Sequence, residues 1–308
     1  MRLLPALALL ALLATPATAL AEAPRVVATI KPIHSLVAAV MGDVGTPTLL
    51  VDGAASPHTY SLTPSDAEAL QAADIVFWVG PGLELFLAGA IDGLAAGARV
   101  VELARTPGIE LLPIREGGAF EAHADDHADG EDAHGAEADM HFWLDPANAA
   151  RLGEAIAETL AEADPEHAQA YRGNAGVLRT DLAALTTELA AALAPVRDKP
   201  FIVFHDAYQY FERRFGLTAA GAVTVTPDTM PGARRVSELR ARIAASGVAC
   251  VFAEPQFEPA IVAAVLEGSA ARAGELDPEG ARLAPGKDLY GQLLRGLAAG
   301  FVAYLGGG

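Results

Sequence analysis

Short hydrophobic runs alternate along this chain with longer stretches in which apolar residues recur every three or four positions. The runs Arg25–Ile30, Thr48–Val51, Asp74–Val79 and Arg99–Leu103 are apolar and bounded by turn-forming or polar residues, which predicts buried strands. Helical spacing fills about Pro32–Met41. A second helix is announced at Thr63-Pro64-Ser65-Asp66, with Thr63 as N-cap, Pro64 at the first helical position and Asp66 as the reciprocal acid. The alternation restarts later: Pro200–Phe204 and Val248–Ala253 read as strands, Ala207–Phe215 and Asp288–Tyr304 as helices. Strand and helix in alternation predict an α/β fold with mostly parallel sheets. The second half resembles the first in kind, although no sequence repeat joins them.

Between the halves the pattern is helical, over about Ala147–Ala163 and then about Pro165–Ala194, closed by Pro195. At ~1.5 Å per residue the longer stretch would span about 45 Å, the length of a two-lobed protein. It is expected to be a rigid connector. The expected organisation is an N-terminal lobe over 22–163, a connecting helix over 164–196 and a C-terminal lobe over 197–308. Residues 116–139 interrupt the first lobe. They are rich in Gly, Ala, His and acids, cannot bury a core, and are expected to form a mobile loop.

The first 21 residues stand apart. Arg2, the apolar run Leu3–Leu13 and the small-residue site Ala19-Leu20-Ala21 have the layout of a secretory signal peptide cut after about Ala21, with Ala23 as a second possible site. The apolar run is shorter than the ~20 residues a membrane span requires. The mature chain is therefore expected to be exported, to the periplasm, without inserting into a membrane.

The 308 residues suffice for two domains, and 52% of them are hydrophobic. The formal charge of −18 favours cations, repels nucleic acid and anionic lipid, and no basic patch offsets it. The one cysteine, Cys250, lies in an apolar run and reads as a small buried hydrophobe. It excludes an internal disulfide and a cysteine-rich zinc site, so any metal site must be built from histidine and carboxylate.

Eight histidines are available, at 34, 58, 123, 127, 134, 141, 167 and 205. His58 lies in the loop after one strand and His205 directly after another, one in each half. In open α/β sheets that edge is where ligands bind. His141 marks the point where the loop re-enters the fold, and Asp277 ends an apolar stretch at a similar edge. Three imidazoles and one carboxylate form a tetrahedral set suited to Zn²⁺. Taken singly, each of these histidines is as readily a surface or core residue. Asp206 and Glu254 are placed to orient ligand rings, or to serve as ordinary caps. His34 is expected to pack near the cleft and His167 to lie on the surface.

The segments Ser56–Asp66, His141–Pro146 (His-Phe-Trp-Leu-Asp-Pro), Phe204–Leu217 (opening Phe-His-Asp-Ala-Tyr) and Phe252–Phe257 (Phe-Ala-Glu-Pro-Gln-Phe) are similar, in order and over nearly the whole mature chain, to the signature segments of the ZnuA family. These are the periplasmic zinc-binding proteins of bacterial ABC importers. The resemblance implies two (β/α) lobes joined by one long backbone helix, with the metal in the inter-lobe cleft. It implies His58, His141 and His205 as ligands, with Asp277 or a water as the fourth. The family's other option, a glutamate just before the first histidine, is absent because Pro57 stands there. It further implies Zn²⁺ as cargo, an inner-membrane ABC permease as partner, and a monomer.

Manganese-binding relatives commonly carry a glutamate where His205 stands, so His205 favours zinc over Mn²⁺ or Fe²⁺. A secreted zinc hydrolase is the rival class, but no H-E-x-x-H motif is present. Two departures from the family pattern are the missing C-terminal cysteine and a sparse histidine loop. In that loop His123, His127 and His134 could hold zinc weakly, or could be incidental in a solvated linker.

Overall fold

The computed structural model describes residues 23–115, 120, 138–224, 231–257 and 260–306. The leader and its cleavage site lie outside the described residues. In the N-terminal half, β1 (Val26–Ile30) runs directly into α1 (Lys31–Met41), and β2 (Thr48–Val51) is followed by a loop and α2 (Pro64–Ala72). The expected capping box is present, with Thr63 and Asp66 each bonding the other's backbone amide. Then come β3 (Ile75–Trp78), two single-turn helices α3 (Leu85–Ala88) and α4 (Ile91–Leu94), and β4 (Arg99–Glu102). These strands form one parallel sheet in the order β2-β1-β3-β4.

A two-residue antiparallel ladder follows, β5 (Leu112–Pro113) with β6 (Ala138–Asp139). The loop expected over 116–139 is thus bounded at its far end by a short strand. Helices α5 (Pro146–Ala163) and α6 (Ala168–Leu193) come next. The long helix starts three residues later than its composition suggests. Asp164 holds the preceding turn by accepting from the amide and Nδ1 of His167 and from the Tyr171 hydroxyl.

The C-terminal half contains β7 (Phe201–His205), α7 (Gln209–Phe215), β8 (Ala219–Thr224), α8 (Ala233–Ser246), β9 (Cys250–Ala253), α9 (Ala260–Leu266), β10 (Arg272–Glu275) and α10 (Leu289–Leu305). Its sheet is also parallel, in the order β10-β9-β7-β8. Four of these elements were not assigned from the pattern. β8 is made mostly of small residues, α8 is largely polar, α9 is short, and β10 buries only Gly274. Gly274 is required by close approach: a Cβ there would stand 2.7 Å from the Phe252 ring and 2.8 Å from Cys250 Sγ. Cys250 is fully buried, as its apolar setting suggests.

The halves do not have separate cores. One buried cluster runs from β1 and α1 through α5 and α6 into β7, β9 and α10, with a smaller one on the outer face of the second sheet. Helix α6 contributes Tyr171, Ala175, Leu182, Leu185, Leu189 and Leu193, spaced to one stripe. It packs on α1 and α5 from the first half and α10 from the second. It is therefore a spine embedded in both lobes rather than a bare connector, and interiors packed in this way resist bending. Among the described residues no helix is long and apolar enough to cross a membrane.

Candidate metal centre

Three histidines from distant parts of the chain meet at one point. His205 is the last residue of β7, so it stands at the C-terminal edge of the second sheet. His141 follows β6 and starts the 3-10 turn Phe142–Leu144, which Asp145 then caps into α5. His58 sits beyond β2 in a tight turn, its amide bonded to Ser56 Oγ and that of Thr59 to the Ser56 carbonyl. His141 and His205 are buried, while His58 is half-buried at the mouth.

Their Nε2 atoms converge. His141 Nε2 lies 3.4 Å from His58 Nε2 and 3.3 Å from His205 Nε2. Two nitrogens bound at the usual Zn–N length, and subtending a tetrahedral angle, stand about 3.3 Å apart. The spacing therefore fits a tetrahedral ion of that size. The tautomers agree. His141 Nδ1 is 2.8 Å from Asp139 Oδ1, and His205 Nδ1 is 2.7 Å from Glu254 Oε1. A carboxylate can only accept, so each ring donates from Nδ1, and in the neutral imidazole Nε2 carries a lone pair. Lone pairs aimed at one another cannot bond among themselves; a cation resolves the conflict.

The supporting groups are themselves held. Asp139 Oδ1 also accepts the His141 amide, its Oδ2 accepts from Gln209, and its carbonyl accepts from the Tyr210 hydroxyl. The charge environments of the three rings differ. Burial, and then the charges of His141 and His205, hold His58 well below the ordinary histidine range. Burial also opposes the charged form of His205, but the Glu254 carboxylate outweighs it and raises that ring above its usual value, with Asp206 and Asp139 adding to the effect.

The other candidate residues lie elsewhere. Asp277 is not brought into the set: no oxygen of it joins the three nitrogens, which lie within 4.8 Å of one another. Its carboxylate closes a turn instead, accepting the amides of Glu279 (3.1 Å), Gly280 (2.8 Å) and Ala281 (2.7 Å). Asp206 does not orient His205; it pairs with Arg115, which also grips Glu212. His34 is buried with Nε2 against the Pro47 carbonyl, and His167 caps its turn. His123, His127 and His134 lie outside the described residues. Sequence reasoning missed Asp139, although it stands two residues before a candidate ligand, the one local signal that could have found it.

Comparison with known proteins gives one consistent result. The family described as "Zinc-uptake complex component A periplasmic" matches residues 26–303. The chain is 51% identical over 303 residues to the high-affinity zinc uptake system protein ZnuA of Brucella abortus (strain 2308), covering 90% of each chain. It is 40% identical over 316 residues to the protein of that name from Paracoccus denitrificans, covering 93% of each. Among solved structures, a crystal structure of ZnuA superposes with a TM-score of 0.77 at 27% identity, covering 92% of this chain and 100% of that one. The periplasmic zinc-binding protein TroA from Treponema pallidum reaches the same TM-score at 23% identity, covering 92% and 99%, which speaks for the fold.

Proposed function

The chain belongs to the ZnuA family of periplasmic zinc-uptake components, and from that premise we propose that it captures Zn²⁺ in the periplasm and delivers it to an ABC permease in the inner membrane. The observation that carries this reading is the convergence of the three histidines, with His141 Nε2 at tetrahedral zinc spacing from the other two Nε2 atoms. Three neutral imidazoles suit zinc better than the harder Mn²⁺. Water takes the fourth position, because Asp277 would have to abandon three backbone amides to reach the ion. The carboxylates that touch the ligand rings, Asp139 and Glu254, are engaged by His141 and His205. Each meets its ring at Nδ1, on the side away from the converging Nε2 atoms, and so is not placed as a general base there, which favours capture over hydrolysis. The protein acts as a monomer, and histidines 123, 127 and 134 form weaker accessory sites.

The test is calorimetric zinc titration of the metal-stripped mature protein, beside His205→Ala and a deletion of residues 121–136. One tight site lost in His205→Ala, with weaker sites lost only in the deletion, is the expected result. Tight binding that survives His205→Ala would overturn the ligand assignment.

A further inference from the structure

Lys31 is the first residue of α1 and only 4% exposed. Its ammonium reaches out of the N-terminal lobe into the turn that follows β10. There it donates to the carbonyls of Ala281 (3.0 Å) and Leu283 (3.0 Å), with Gly280 at 3.4 Å. It also stands 3.0 Å from Asp52 Oδ1, at the start of the loop that carries His58. An ammonium has three protons to give, and a buried one is tolerated only when they are taken. Here they are taken by the second lobe and by the His58 loop together.

The turn it grips is stiff. Asp277 closes it from within by accepting three amides. Trp143, two residues beyond His141, donates its indole N–H to the Pro278 carbonyl at 3.1 Å. One helical turn on, Ser35 Oγ donates to the Lys287 carbonyl and accepts the Tyr290 amide. The C-terminal framework is thus fixed relative to His141, and Lys31 ties the His58 loop to that framework. His141 and His205 have carboxylates that set their rings. Among the described residues no carboxylate sets the His58 ring in this way; its turn alone places it.

We propose that Lys31 is a positioning residue for zinc capture, holding the His58 loop at ligand distance from His141 and His205 before the ion arrives. This rests on the zinc-site reading above. Lys31→Met is expected to raise the zinc Kd by about 10–100-fold, the usual effect of losing a group that orients a ligand. A merely structural role would weaken binding independently of which ligand is present. A double-mutant cycle separates the two. Lys31→Met should add little further loss in a His58→Ala background and its full loss in a Glu254→Gln background. Lys31→Arg should restore part of the affinity, and circular dichroism of each metal-free variant checks the fold.

If Lys31→Met does not fold, Asp52→Asn breaks the exposed end of the same link and should show the same non-additivity with His58→Ala at a smaller factor. Wild-type affinity in both Lys31→Met and Asp52→Asn, or losses that add fully to that of His58→Ala, would overturn the proposal. A wild-type protein without a tight zinc site, or one indifferent to His58→Ala, would instead overturn the site reading on which it rests.

Discussion

The two sheets have the same plan and put it to different uses. Numbered within its own half, each runs in the order 2-1-3-4 with all strands parallel. Each therefore has a switch point between its first and third strands, where such sheets offer a crevice. In the C-terminal lobe that crevice is chemical: His205 ends the first strand, and Glu254, just past the third, holds its Nδ1. In the N-terminal lobe the corresponding edges carry Lys31 and Glu84. Lys31 is turned toward the other lobe, and Glu84 folds back onto the amides of Val79 and Gly80. The first lobe's own member of the histidine triad, His58, comes from the loop after the outer strand β2. One topology thus yields a preset histidine–carboxylate pair in one lobe and a face turned to the other lobe in its counterpart.

The comparison breaks most sharply if the C-terminal half-site is not the anchor. Removing His205 deletes one of three protein ligands; sharing the binding free energy of a structural zinc over its ligands, His205→Ala should raise the zinc Kd by about 10²–10³-fold. Competition with a chelating indicator would read this, and an unchanged Kd would remove His205 from the site.

The two switch-point acids should separate next. Burial pushes Glu84 up to about 7 from an ordinary value of 4.5, against hydrogen bonds from the Val79 and Gly80 amides that favour its charge. An acid raised in the folded state binds more protons folded than unfolded. Its contribution to stability is whole below about 4.5 and is lost as pH rises through 7, a swing of about 3 kcal/mol. Glu84→Gln should therefore gain up to that amount on wild type between pH 5 and pH 8 in urea unfolding, with zinc affinity unaltered. A parallel pH dependence in both proteins would refute the assignment. Glu254→Gln should do the reverse, sparing the pH profile of stability at Glu84 while weakening zinc about 10–100-fold.

Acidification sharpens the contrast between ligands. His205 is raised and His58 lowered, so of these two rings His205 is the one that gives up a proton to zinc as pH approaches neutral. Affinity should begin to fall above the ordinary histidine pKa as pH drops, and in Glu254→Gln the fall should start at lower pH. Titrations from pH 8 to 5.5 would show it; identical midpoints would deny Glu254 its role. The smallest effects belong to the ion pairs lacing α6 to its neighbours, Arg172–Glu158, Arg179–Glu154 and Arg295–Glu188. They are exposed and screened by solvent, and alanine at any one arginine should leave the urea-unfolding midpoint almost unmoved.

The sequence alone determined the alternation of buried strands and helices in the first half, the Thr63–Asp66 capping box, the long helix and the segments that point to His58, His141 and His205. These are local signals, written in periodicity and in residue types that only certain backbone positions or metal chemistry require. It left β8, α8, α9 and β10 unassigned, because β8 and β10 are edge strands of mostly small or polar residues, α8 is largely polar, and α9 is too short to show a period. Only the tertiary structure decided that the three histidines meet, with His141 Nε2 within 3.4 Å of the other two, that Asp139 and Glu254 set two of the rings, that Asp277 closes a turn, and that Lys31 ties one lobe to the other. The Asp139 and Asp277 bonds span only two to four residues, but the meeting of the three histidines, the Glu254–His205 pair and the Lys31 link depend on groups 49 to 252 residues apart being brought within hydrogen-bond reach. Reach across such separations is fixed by how strands are ordered and helices packed, and no window of sequence contains that information.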